Sequence, residues 1–282
     1  MKKLFYIVAI ASIAFPLRAQ EATPEKNEFD KKFRFGLRVT PQPTWITSND
    51  KISSRKGIGF GFGFGLNLEY HFSNIAALLT GIGGDLESGS INYNAPTTES
   101  RIQYWMNSSK EFVVPGKDNK AKNTVYTLKS RKINTTYVTI PIILKLSTKE
   151  YNGLKYFGMF GGELGIRTKI KGTDTYVESG KFNDTTGVYE KKFGETEEPS
   201  IDLKEEASKV PLRLGMNAGI GCEYRLGGST SLLFSINYFR SFTNTMKSKS
   251  IYTYSATDGE TYIFVKQNLI LSAIRINIGV MF

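Results

Sequence analysis

One cysteine in 282 residues excludes a disulfide framework and a cysteine-based zinc site. That residue, Cys222, lies on an alternating apolar face, where a thiol serves as a small apolar side chain. No stretch approaches the roughly 20 consecutive apolar residues of a membrane-crossing helix, so a helical membrane protein is excluded. No G-x-S-x-G elbow, no H-E-x-x-H and no calcium-loop pattern is present. Histidine is down to His71 alone. These absences leave no catalytic, metal-binding or cofactor-binding residue to nominate, and the chain reads as non-enzymatic.

What is abundant is alternation. In Gly57 to Phe72 the even positions Ile58, Phe60, Phe62, Phe64, Leu66, Leu68, Tyr70 and Phe72 are large and apolar. The odd positions are Gly59, Gly61, Gly63, Gly65, Asn67, Glu69 and His71. Period two is the period of a strand. The run exceeds the usual strand of about 5–6 residues, whereas a tilted strand crossing a bilayer needs about 9–11. The glycines read G-x-G-x-G-x-G with no helix after them, which is not a phosphate loop.

Seven further alternating segments follow the same logic. The first runs from Phe33 to about Ile46. The third, Ile75 to about Tyr93, contains Gly81, Gly83 and Gly84, a place for a bulge. The fourth is Lys132 to Ser147, blemished by Pro141, which cannot donate to a ladder. The others are Gly153 to Lys171, Pro211 to Leu226, Ser229 to about Phe242, and a last one ending at Phe282. Connections after the first, third, fifth and seventh are long; those at Ser73-Asn74, Lys149 to Asn152 and Gly227-Gly228 are tight. Strict alternation of long and short connections predicts an all-β, eight-stranded antiparallel up-and-down transmembrane β-barrel with long extracellular loops and both termini periplasmic, in the cell outer membrane.

Met1 to Ala19 has the form of a secretory signal, with Lys2 and Lys3 before an apolar run from Leu4 to Phe15. Residues 20–32 read as a polar periplasmic tail and 33–282 as the barrel. Without Lys2, Lys3 and Arg18 the 37 basic residues become 34 against 26 acidic, about +8. In an exported protein that charge points to outer-membrane lipids and lipopolysaccharide as partners, and not to nucleic acid.

An eight-stranded barrel is just wide enough for side chains to fill. Inward positions include Arg34, Arg38, Glu69, Lys145, Lys155, Glu163, Arg167, Arg213, Glu223, Arg225 and Arg275. Unpaired charge in that space is costly, so a salt-bridged plug and no open pore is expected, with Arg38, Glu69, Lys145, Glu163, Arg213, Glu223 and Arg275 as ion-pair candidates. Two aromatic girdles are expected. Phe33, Phe35, Tyr70, Phe72, Tyr156, Tyr224 and Phe282 fall at one rim; Trp45, Tyr93, Tyr137, Tyr238 and Phe242 fall at the other. Loop 94–131 has a basic excess and loop 172–210 an acidic one, so the two are expected to pack together as a platform for a partner.

The segments FRFGLRVTP (Phe33 to Pro41), GFGFGLNLEYHF (Gly61 to Phe72), TYVTIPIILKL (Thr136 to Leu146), KYFGMFGGELGIRTKIK (Lys155 to Lys171) and NAGIGCEYRLGGSTSLLFSINY (Asn217 to Tyr238) resemble the PorT-like outer-membrane barrels of the Bacteroidota. The resemblance implies a place beside type IX protein secretion, with secretion-system proteins as partners and no catalytic residue or cofactor. The terminal Phe282 resembles the aromatic signal that barrel-assembly machinery reads. Two other functions fit the same sequence. One is a structural or adhesive barrel that binds a ligand through its outer loops. The other is an outer-leaflet lipid enzyme, for which His71 sits at the wrong membrane face, beside Glu69.

Overall fold

The computed structural model describes residues 32–48, 52–94, 101–114, 123–183, 188–189, 195–209, 211–256 and 262–282. The expected signal segment 1–19 and the tail up to residue 31 lie outside the described residues. Fifteen strands are present among them: β1 Phe33–Ser48, β2 Ser53–Arg55, β3 Gly59–His71, β4 Ala76–Tyr93, β5 Arg101–Met106, β6 Phe112–Val113, β7 Thr124–Ser147, β8 Leu154–Asn183, β9 Val188–Tyr189, β10 Glu195–Asp202, β11 Leu212–Gly227, β12 Thr230–Ser241, β13 Lys249–Ala256, β14 Tyr262–Lys266 and β15 Leu269–Met281.

Eight of them close a ring. The order β8-β11-β12-β15-β1-β3-β4-β7 ends where β7 pairs back onto β8, and every pairing is antiparallel. The fold is therefore an all-β, eight-stranded antiparallel barrel. The two strands flanking the Lys149 turn are longer than the alternation alone suggests. β7 is 24 residues and β8 is 30, well beyond the about 9–11 that cross a bilayer. Much of loops 94–131 and 172–210 is thus strand: β10 pairs with the far part of β8, and β5 joins β7 to β13, with β14 beyond.

Burial shows which solvent each face meets. Phe35, Phe60, Phe64, Ile82, Ile142, Phe160, Ile220, Phe234 and Ile278 are all exposed, and every ring strand contributes to this outer band. No water-soluble monomer tolerates a contiguous apolar belt of that extent. It suits lipid, with the inward half of each strand shielded from it. Cys222 lies on the same outer face, half-exposed. At the turn end Phe33 meets Tyr70 at 4.9 Å between ring centres and Phe35 meets Phe282 at 5.8 Å; at the loop end Trp45 meets Tyr238 at 6.3 Å. Tyr93 and Tyr137 do not belong to that outer girdle. Both have inward parity and are buried.

The expected bulge at Gly81, Gly83 and Gly84 is absent: β4 keeps one register against β3 and one against β7. Gly81 instead answers Pro141. The β4/β7 ladder skips from Leu79↔Ile143 to Gly83↔Thr139, and in that register Gly81 faces Pro141. Gly81 has φ +150°, a conformation open to glycine, and relaxes the ladder where proline has no N–H to give.

A second break lies between the first and last strands. Odd residues of β1 turn their backbone groups toward β15, as when the Phe282 amide donates to the Phe35 carbonyl at 2.7 Å. Pro41 and Pro43 share that parity and cannot donate. The β1/β15 ladder accordingly skips from Val39↔Ile278 to Thr44↔Ala273. Two luminal side-chain bonds span the gap at the skipped positions. Thr40 Oγ1 donates to Asn277 Oδ1 at 2.8 Å, and Arg275 Nε donates to Gln42 Oε1 at 2.9 Å. The barrel is closed there by its contents as well as its wall. Gln42→Leu, which strips Arg275 Nε of its acceptor, should lower unfolding free energy by about 1.5–3 kcal/mol in urea titrations of the refolded protein. It should also accelerate hydrogen exchange in β15 between residues 274 and 277 ahead of β12.

Candidate functional site: a filled lumen and a folded loop end

The lumen is packed in layers. At the turn end Arg34 Nη1 donates to Glu223 at 3.1 Å and Arg34 Nη2 to Ser231 Oγ at 2.5 Å. Lys145 Nζ sits 3.1 Å from both oxygens of Glu69 and also bonds Glu223. Two cations thus face two carboxylates, all buried. His71 Nε2 lies 2.9 Å from Glu69 at the edge of this layer. The aliphatic side chains Leu79, Ile143, Leu233 and Met281, with Phe157 and Met159, pack around it, and Lys145 Nζ stands 4.5 Å above the Phe157 ring.

The second layer is larger. Arg275 reaches Glu163, Asp85 and Glu87, the last two at 3.2 Å. Arg213 bonds Glu87 and reaches Glu163 at 2.9 Å. Arg213 also lies 4.0 Å over the Tyr137 ring, and Arg275 lies 4.0 Å over the Phe239 ring. Arg38 completes the layer as a third guanidinium against three carboxylates. It has no ion pair or hydrogen bond among the described residues, so its charge is balanced through space. Its head fits because β3 and β4 present glycines: a Cβ on Gly65 would stand 3.3 Å from Arg38 Nε, and one on Gly83 3.2 Å from Nη2. The glycine face of β3 is therefore space for the neighbouring strands' long side chains.

Of the inward residues read from the sequence, Arg34, Arg38, Glu69, Lys145, Glu163, Arg213, Glu223 and Arg275 are all buried in these two layers. Three lie elsewhere. Arg225 pairs with Glu150 at 3.1 Å beside the turn. Arg167 donates to the Thr245 and Ser208 carbonyls near the loop end. Lys155 is half-buried at the turn end. Asp85 and Glu87 were missed. The signal was arithmetic: the inward set held eight cations and three carboxylates, an imbalance no lumen of this width sustains.

Above the second layer the interior turns apolar. Ile46, Ile91, Ile133 and Leu271 from the ring meet Ile102, Tyr104, Leu203, Met246 and Val265 from the long connections. One ion pair is buried among them: Arg131 Nε and Nη2 bond both oxygens of Asp174 at 2.7 and 2.6 Å. Burial alone would lower the Arg131 pKa, but the Asp174 carboxylate more than reverses this and holds it above its ordinary value. Glu206 gathers a third connection, accepting from Ser250 Oγ at 2.6 Å, the Tyr252 amide at 2.8 Å and Gln267 Nε2 at 3.2 Å. Loops 94–131 and 172–210 do meet, as expected. Among the described residues they are joined by ladder, apolar contact and the Arg131–Asp174 pair.

No group of His, Cys, Asp and Glu able to hold a metal occurs among the described residues. The ring, its apolar belt and its filled core agree with a match to a family model, described as outer membrane protein beta-barrel domain, over residues 18–247. The chain belongs to this outer-membrane β-barrel family. No curated protein matches it. Among solved structures it is similar to Neisserial surface protein A, at 10% identity and TM-score 0.37, over 89% of this chain and 98% of that one. It is also similar to the attachment invasion locus protein Ail of Yersinia pestis in complex with the heparin analogue sucrose octasulfate. There the identity is 7% and the TM-score 0.31, over 89% of this chain and 100% of the other. A third likeness is to the outer membrane protease OmpT of Escherichia coli, at 7% identity and TM-score 0.32, over 89% and 96%. Likenesses of this size carry no argument about activity.

Two outcomes follow from the charged layers. Glu163→Gln leaves Arg213 and Arg275 short of a shared partner in a buried site and should cost about 3–5 kcal/mol. The exposed Glu197→Gln should stay within about 0.5 kcal/mol in the same urea titration. At the loop end, burial pushes the Tyr93 hydroxyl up to about 12. A raised tyrosine pKa favours the folded state below the unfolded value near 10, and that contribution is lost as pH rises from there toward 12. Near-ultraviolet circular dichroism should show the native protein loosening across that window, and Tyr93→Phe should remove part of the dependence.

Proposed function

We propose that this chain is a non-enzymatic, PorT-like outer-membrane barrel that acts as a surface scaffold and accessory of type IX protein secretion. The observation that carries this reading is the filled lumen joined to a folded loop end. Two charge-balanced layers and an apolar cap leave the barrel to hold something at the membrane rather than to pass something through it. The turns and both termini face the periplasm, and the extensions of β7 and β8, with β5, β10, β13 and β14, stand outside the cell. Phe282, docked on Phe35, is the feature that the barrel-assembly machinery reads. Secretion-system proteins are the partners, met on the outer platform, and outer-membrane lipids and lipopolysaccharide surround the barrel.

His71 supports the non-enzymatic reading. It stands at the turn end, held by Glu69, away from the outer leaflet where lipid chemistry would need it. A second reading, a structural or adhesive barrel, draws on exposed apolar residues at the loop end, Val114 and Ile263, which could contact a ligand. The experiment that separates the two is deletion followed by an inventory of secreted proteins and by binding of cells to matrix. Loss of secreted cargo supports the secretion role, and loss of binding with normal secretion supports adhesion. Liposomes carrying the protein should neither swell in sugars nor conduct; conductance would overturn the closed-lumen reading. Thr196→Cys should react with an impermeant maleimide on intact cells if the loop end faces outward.

A further inference from the structure

The height at which lipid contact ends can be read strand by strand, and on one side of the ring it is followed at once by positive charge. On β7 the lipid-facing series Leu146, Leu144, Ile142, Ile140 and Val138 stops, and Lys132 is the next exposed side chain of that parity. On β8 the series ends at Ile166. A bulge between Tyr137↔Arg167 and Thr136↔Lys169 then shifts the phase, so that Lys169 and Lys171 face outward in its place. β4 joins Lys132 through Ser90, and the segment after β2 lies against the same residue, the Lys56 amide donating to the Ser90 carbonyl at 2.8 Å. Lys56 Nζ then reaches Ser130 Oγ at 2.9 Å, and Arg55 lies 5.2 Å over the ring of Trp45, a member of the aromatic rim. Three separate stretches of chain thus deliver Arg55, Lys56, Lys132, Lys169 and Lys171 to one side of the ring, beyond the lipid-facing series.

None of the five forms an ion pair with a described carboxylate. The nearest acid by register is Asp202, opposite Lys171 on β10; its Oδ1 accepts from the Lys204 amide at 2.9 Å, and it forms no ion pair with Lys171. On the far side of the ring the corresponding rim carries the exposed Leu212 and Phe242, with Arg240 as a cation on the strand that leads to Phe242. Most exposed cations on a protein surface are interleaved with acids. A cluster of cations that form no ion pair, placed where an apolar belt ends, has the charge complementary to a phosphate held at headgroup depth, with its acyl chains lying against that belt.

We infer that the outer face of β2, β4, β7 and β8 is a docking surface for the phosphorylated sugar headgroup of an outer-leaflet glycolipid. The lysines at the rim meet its phosphates, Val138 and Ile166 lie beside its acyl chains, and the projecting parts of β7 and β8 form a wall for its saccharide. This rests on the loop end facing outward as proposed above, but not on any role in secretion.

The test uses the full-length protein in detergent, where orientation plays no part. It is titrated separately with bisphosphorylated lipid A, with the same lipid stripped of phosphate, and with phosphatidylglycerol, and bound lipid is counted by native mass spectrometry. Lys132→Gln combined with Lys169→Gln and Lys171→Gln should weaken the bisphosphorylated lipid about a hundredfold, at roughly fivefold for each charge. Arg240→Gln, on the opposite rim, should leave it unchanged, and raised salt should weaken native binding. Heat-dependent gel mobility checks that each variant is folded; should the triple variant fail, the Arg55→Gln and Lys56→Gln pair takes its place. Equal binding of the stripped lipid, equal binding of phosphatidylglycerol, or an unaffected charge variant would each overturn the inference. Thr196→Cys labelling judges the orientation independently of all three.

Discussion

Backbone hydrogen bonding in lipid is the constraint on which the rest depends. With no water in the hydrocarbon, every N–H and C=O of a spanning strand must find a partner in another strand, so the sheet has to close. Closure at eight strands fixes the bore, the bore is too narrow to stay empty, and an interior flanked by lipid has to be filled with side chains whose charges cancel. The two layers, Arg34 and Lys145 against Glu69 and Glu223, then Arg38, Arg213 and Arg275 against Asp85, Glu87 and Glu163, answer that demand. The glycine face of β3 is a secondary consequence, since side chains from neighbouring strands, among them Gln42, Asp85 and Arg38, occupy the space that its own side chains leave.

The wall and its contents are coupled where proline interrupts the ladder. Pro41 and Pro43 remove donors from the seam between the first and last strands, and Gln42 and Thr40, their neighbours of opposite parity, bond Arg275 and Asn277 across it. Arg275 is also a centre of the larger charged layer. A change to the luminal carboxylates is therefore felt at the closing seam, which a plug independent of the wall would not transmit. Pro141 poses the same problem between β4 and β7 and is met differently, by a glycine opposite it with φ +150°.

Beyond the lipid the physics changes back to that of a water-soluble domain. The parts of β7 and β8 outside the belt, with β5, β10, β13 and β14, bury an apolar cluster, a bidentate Arg131–Asp174 pair and a carboxylate, Glu206, that bonds several strands at once. Long connections with their own core hold one shape. They also cap the bore from that end.

The sequence by itself determined the number of ring strands, their antiparallel order and the face of nearly every residue along them. Period-two alternation is imposed by a solvent boundary on each side of a single-layer wall, and every strand carries that boundary along its whole spanning length. It also marked where the ring strands turn, because tight turns need residues such as Asn152, Gly153 and Gly228, which adopt positive φ. Only the tertiary structure decided who pairs with whom inside. Asp85 and Glu87 were hidden because their outward neighbours Gly84 and Ser88 are small, which blurs the alternation there, and Tyr93 and Tyr137 were misplaced because an aromatic near a rim looks alike facing in or out. The loop end was illegible for a different reason. Its strands lie in water on polar, irregular sequence, and their order is set by contacts such as Arg131 to Asp174 that join residues far apart in the chain.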